Sequence, residues 1–358
     1  MRLRHLLTLC VLSPVLLPCT GAAQSITVGY RQPADVFEIL DNVSAWWPDY
    51  VESAYRVEWN RRGLAQPGDS TWYAQYRIFR EKYFDRSGQS GGAPTREGSG
   101  LFTDRRAVEA DPIGGAFHGA KTLDEAYASL ARRVTPTELA WLRRFVAHFS
   151  PRVTPLTVET EARIAASLAA TRATIALPAV QSYLGQVRGL FRIDSVPTFA
   201  ALYVWWPDTA MVQASPNGHT LLLRLRPTAG DTINSADVVA HEAIHVYLAY
   251  ADSSWKRTLS AAVLDRCTPP AGVRRLAVLE EAIATALGNI EFRRRFQPRR
   301  FSWSRRWYGD EWVNLSARLL HPVLSAALDG GTPLGASFGA DAGATCASLA
   351  GYRAGPPR

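Results

Sequence analysis

Apolar residues recur at intervals of three and four through most of the first 190 positions, the signature of helices that bury one face. Trp46, Tyr50, Ala54 and Val57 set this rhythm in a helical stretch read over residues 34–62. A second runs over 70–86, with Asp69 and Ser70 standing as its cap. Thr122 and Glu125 have the spacing of a capping box, in which each side chain satisfies an amide that the helix leaves unpaired. Thr135 and Pro136 open the next helical region, because proline's fixed φ and missing N–H suit a first turn. Helical patterns then cover 138–149, 159–176 and 179–191. Between 87 and 100, nine of 14 residues are Gly, Ser or Pro, so this stretch reads as a solvated loop.

The texture changes near Val196. Residues 196–206 are rich in Val, Phe, Tyr and Trp, and residues 219–226 alternate so that Leu221, Leu223 and Leu225 share a face. Pro216, Asn217 and Gly218 read as the turn between strands, which predicts a small antiparallel sheet. The expected fold is α+β, with a mainly helical region over 24–190 and a region over 191–358 that holds the sheet and two apolar helices.

The first of these helices, over 237–250 behind Asn234 and Ser235, is apolar on nearly every side except at His241, Glu242, His245 and Tyr247. A buried carboxylate without a partner costs several kcal/mol or neutralises itself, so the pattern asks for a cation. His241 and His245 lie one turn apart on one face and can converge on a single zinc ion, while Glu242 flanks it as a general base for the attacking water. With 7 His among 358 residues, chance yields roughly 0.006 such matches. A hydrolytic zinc site needs a third protein ligand. The second apolar helix, over 276–287 and closed by Gly288, carries Glu280 and Glu281 as its only ionisable residues.

HExxH followed by a helix with Glu-Ala-Ile-Ala resembles the gluzincin metallopeptidases, the thermolysin-like and membrane-alanyl-aminopeptidase-like zinc enzymes. The resemblance spans at most residues 219–287. It implies a zincin-like catalytic region with Glu281 as third ligand and Ala284 as the small residue three positions on, Glu280 being the alternative. Thr285 stands where thermolysin-like members carry an aspartate that orients a zinc histidine, and Glu281 follows His245 by 36 positions, a longer gap than theirs. The third-histidine pattern of metzincins is absent. The resemblance also implies an edge strand that receives extended substrate, a role open to residues 219–226, which fit an ordinary core strand equally. An oxyanion stabiliser is expected as well, and Tyr308, His321 and Tyr247 are the candidates.

Composition narrows the rest. The chain has 40 Lys and Arg against 32 Asp and Glu, but only Lys82, Lys121 and Lys256 are lysines, and the arginines are scattered rather than gathered into a nucleic-acid-binding tract. The runs at 293–295 and 305–306 read as solvated faces before contacts for acidic substrate groups. Residues 1–23 have a basic start, a 13-residue apolar core and small residues ending at Ala23, the form of an export signal too short to span a bilayer. The expected location is therefore secreted or periplasmic, without stable membrane insertion, and acylation at Cys19 is the less favoured route. Cys267 and Cys346 are then the only mature thiols, which predicts one disulfide. The leading function is an exported zinc metallopeptidase acting on peptide or protein substrates. The alternative is a secreted helical scaffold with a structural or inactive zincin-like half.

Overall fold

The computed structural model describes residues 26–47, 53–84, 105, 109–194, 196–207, 213–224, 233–267 and 277–350. The segment read as an export signal, Cys19 and the stretch read as a loop at 87–100 lie outside the described residues.

The fold is mainly helical with one small mixed sheet. Strand β1 (Ile26–Tyr30) leads into α1 (Gln32–Ser44), α2 (Ser53–Arg61), α3 (Asp69–Tyr83), α4 (Pro112–Gly119), α5 (Leu123–Leu130), α6 (Pro136–Ile175) and α7 (Pro178–Leu190). The rest of the sheet follows as β2 (Phe199–Tyr203), β3 (Gln213–Asn217) and β4 (Thr220–Arg224). Helices α8 (Ala236–Tyr250), α9 (Ser253–Arg266) and α10 (Ala277–Ala284) come next, then a π-helical segment (Thr285–Glu291), α11 (Phe292–Phe296), α12 (Glu311–Asp329) and α13 (Ala336–Ala350).

The local signals act as their chemistry requires. Thr135 and Glu138 form the full reciprocal box at the start of α6, and the Thr122 hydroxyl accepts from the Glu125 amide. Asp69 instead buries its carboxylate against Arg152, whose Nη1 lies 2.6 Å away. The stretch read as one helix over 34–62 is broken by Ala45, which adopts a left-handed conformation (φ 48°) and ends α1 with its N–H on the Asn42 carbonyl. Conversely, the patterns at 138–149 and 159–176 belong to one 40-residue helix with Pro151 and Pro155 inside it. Each internal proline costs about 3 kcal/mol, which the burial of Arg152, Val153 and Leu156 against the surrounding helices offsets.

The sheet is mixed, not antiparallel. Its order is β1-β2-β4-β3, with β1 parallel to β2, β2 parallel to β4, and only β3 antiparallel to β4. Strand β4, from the segment proposed as an edge, is paired on both sides. Among the described strands the terminal positions fall to β1 and β3, and Pro216, which has no N–H to give, is accommodated in terminal β3. The β3–β4 turn is at Gly218 and His219, with Gly218 at φ 56°, rather than at Pro216–Gly218.

Alternation decides what each face covers. Ile26, Val28, Phe199, Ala201, Tyr203, Leu221 and Leu223 face a core shared with α7, α8, α10 and α12. Ala200, Leu202, Val204 and Leu222 face the opposite way, toward Ala34 of α1. A second core joins α1–α5 to the first half of α6 and receives Trp205 and Trp206. The cores cross residue 190 in both directions, since Ile26, Val28 and Ile164 lie with the metal-helix core while Trp205 lies with the helical one.

Cys267 and Cys346 stand at disulfide-bonding distance, their Cα atoms 5.7 Å apart, and would tie the end of α9 to α13. Glycines permit the close approach of these helices. A Cβ on Gly339 would fall 2.7 Å from Ala262 Cβ, and one on Gly343 2.8 Å from Arg266 Cβ.

Candidate metal centre

Helix α8 lies between the sheet and the rod formed by α10 and the π-helical segment. Its start is fixed by Asn234, whose Oδ1 accepts the Ala236 N–H at 3.2 Å, whereas Ser235 makes no capping bond. Within α8, His241, Glu242 and His245 are all buried. The rod does not end at Gly288. The chain remains helical through Phe296, and Gly288 is where it touches α8, because a Cβ there would sit 2.4 Å from His241 Cα.

This contact brings three donors together. His241 Nε2 and His245 Nε2 are 3.2 Å apart, and Glu281 Oε2 lies 3.3 Å from the first and 3.5 Å from the second. Two imidazole nitrogens at that separation share at most one proton between them, and among the described residues no donor of good hydrogen-bond geometry reaches the buried Glu281 Oε2. A cation supplies what this triangle lacks. A tetrahedral zinc ion at about 2.0–2.1 Å from each ligand gives donor–donor edges of about 3.3 Å. His241, His245 and Glu281 thus form a group able to hold a metal ion.

The other ring nitrogens are equally committed. His245 Nδ1 is 2.7 Å from Glu280 Oε1, so the glutamate considered as alternative ligand orients a histidine instead. His241 Nδ1 is 2.9 Å from Asn289 Oδ1. The Asn289 amide donates through Nδ2 to the Asp237 carbonyl and carboxylate, each at 3.4 Å, which turns Oδ1 toward His241. Asp237 Oδ2 is in turn held by Arg293 Nε at 2.7 Å. With Nδ1 so engaged, each histidine would turn an Nε2 lone pair toward a bound metal ion, the arrangement ligation needs. Thr285, at the aspartate position of thermolysin-like enzymes, is fully buried, and its hydroxyl has no hydrogen-bond partner among the described residues.

Electrostatics separates the roles. Burial alone would lower His245, but the charge of Glu281, the hydrogen bond to Glu280 and the charge of Glu280 outweigh it and hold the imidazole well above its ordinary value. Burial alone would raise Glu281, yet His245 and His241 keep its carboxyl far below the usual range. Glu242 behaves oppositely. Burial raises its pKa against the pull of the two histidines, and its Oε1 is 4.0 Å from His241 Nε2, beside the donor triangle but outside it.

Of the oxyanion candidates, Tyr308 reaches the centre. Its ring lies nearly parallel to His241 with centroids 6.3 Å apart. Burial, the charge of Glu281, a hydrogen bond to it and the charge of Glu242 hold the hydroxyl above the ordinary phenol range, so it stays a donor. His321 is bound to Glu291 at 2.7 Å, and Tyr247 packs toward the sheet beside Phe199.

The Gly288 contact is directly testable. Gly288→Ala should cost about 1–3 kcal/mol of stability and weaken metal binding as His241 is displaced. Thermal unfolding and metal titration check both, and an unchanged midpoint with unchanged affinity would mean that the helices part without cost.

No family model matches the chain, and no match is found among curated proteins or solved structures.

Proposed function

We propose that the chain is a zinc-dependent hydrolase, most specifically a gluzincin-type metallopeptidase acting outside the cytoplasm. The observation that carries this reading is the triangle of His241 Nε2, His245 Nε2 and Glu281 Oε2, with spacings of 3.2–3.5 Å and Glu242 beside it. Zinc held there would polarise a peptide carbonyl and make water nucleophilic near neutral pH.

The protein's own groups supply the remaining chemistry. Glu242 accepts a proton from the attacking water, a role suited to a buried carboxylate beside the donor triangle whose basicity burial increases. The Tyr308 hydroxyl, kept protonated, donates to the oxyanion as it develops. Strand β3, terminal among the described strands and packed beside α8, offers an edge to which an extended peptide adds by main-chain hydrogen bonds.

The test joins elemental analysis to hydrolysis of an unstructured peptide mixture. One zinc per chain is expected, with cleavage abolished by a chelator and restored by zinc. Stoichiometric zinc with no cleavage of any peptide would favour the scaffold reading.

A further inference from the structure

The arginine-rich segment after the π-helical rod does not behave as one solvated face. Arg294 and Arg295 are bound to Glu291, and Arg306 donates to the Tyr308 and Gly309 carbonyls. Arg293 is buried against Asp237. Arg300 donates to the Asn234 carbonyl at the start of α8. Arg305 is different. The residue is exposed overall, and its partly covered guanidinium finds no acceptor among the described residues, although its carbonyl takes a bond from Arg318.

These side chains converge. The guanidinium carbons of Arg293 and Arg305 lie 5.7 and 5.9 Å from the centre of the same Trp307 ring. Arg293, Arg300 and Asp237 all bear electrostatically on Arg305; burial is the leading cause that lowers its pKa, and the two arginines add to it against Asp237. Two guanidinium groups thus flank one ring, and Arg300, held at the Asn234 carbonyl, adds its positive charge to theirs. Asp237 is already engaged by Arg293, while the buried Arg293 Nη1 has no acceptor among the described residues. Such an excess of positive charge is unfavourable unless an anion completes it.

Its position relates it to the centre. Asp237 is one turn before His241 on the same face of α8, and Trp307 directly precedes Tyr308, which bonds Glu281. We infer that Arg305, backed by Arg293 and Arg300, forms a subsite for an acidic side chain of the substrate, close to the bond cleaved. This deepens the metallopeptidase reading and rests on it.

The experiment uses the zinc-loaded full chain and two unstructured peptides identical but for Glu or Gln beside the cleaved bond. The wild type should favour the Glu peptide in kcat/KM by about tenfold. That ratio should fall to near one in Arg305→Gln and invert in Arg305→Glu. Cleavage of both peptides with a wild-type ratio near one overturns the subsite and leaves the peptidase reading standing. Binding of the same pair to Glu242→Gln protein, followed by fluorescence anisotropy of labelled peptide, gives a readout independent of turnover. Tighter binding of the Glu peptide, lost on adding Arg305→Gln, supports the subsite even if no peptide is cleaved, and equal binding overturns it.

Discussion

Glu242→Gln protein is expected to hold its full complement of zinc and to lose hydrolysis of unstructured peptide by about 10²–10⁴-fold. Glutamine keeps nearly the same volume in a buried position, and the three donor atoms come from other residues, so the triangle should stay intact. What disappears is the proton acceptor. An amide cannot take up the proton that an attacking water must lose, and the two nearest other carboxylates among the described residues are committed, Glu281 to the donor triangle and Glu280 to His245. Elemental analysis and steady-state rates on the same preparation check this. Equal rates with Gln and Glu at position 242 would remove Glu242 from the mechanism, and loss of zinc would make it a ligand.

Glu281→Ala and Glu280→Ala should part company over metal. Removing Glu281 leaves two protein ligands and should abolish stoichiometric zinc binding. Removing Glu280 leaves all three, but frees the His245 ring to rotate and to change tautomer, so affinity should fall about 10–100-fold while a bound fraction persists. Competition with a zinc chelator of known affinity reads both. The reverse order, with zinc lost from Glu280→Ala and kept by Glu281→Ala, would move the third ligand by one residue.

The centre was legible where its chemistry sits on regular α-helix. HExxH carries its own geometry, since positions four apart share a face, and Glu281 follows from adjacent acids in an apolar stretch that resembles a known ligand helix. Asn289 was hidden for a physical reason. Eight residues beyond Glu281 an α-helix has turned about 80° away from it, and only the wider π-helical turn brings Asn289 and Gly288 against His241. No sequence pattern announces that change of pitch. Tyr308 was one of three indistinguishable aromatic or imidazole candidates until packing set His321 on Glu291. The sheet was half visible. The alternation of Leu221 and Leu223 marks a strand, but β1 is five residues long, lies far from its partner in sequence, and its parallel pairing leaves no turn signal to read. The join across Pro151 and Pro155 in α6 was likewise a decision of tertiary burial over local propensity.

Pairing of β1 with β2 also has a consequence in time. The Thr27 hydroxyl donates to the Phe199 carbonyl across 172 positions, so the first described strand is made long before the strand it binds. At typical synthesis rates the interval is about 10–30 s, during which β1 lacks its sheet partner, although α6, whose Arg172 Nε donates to the Val28 carbonyl, has already been made. Ile26 and Val28, buried in the same core as Ala240 and Ile244 of α8, can be seated only after that delay. Glu281 arrives later still. A growing chain therefore contains its first strand, then His241 and His245, and later Glu281, so the donor triangle can close only after the second apolar helix has been made.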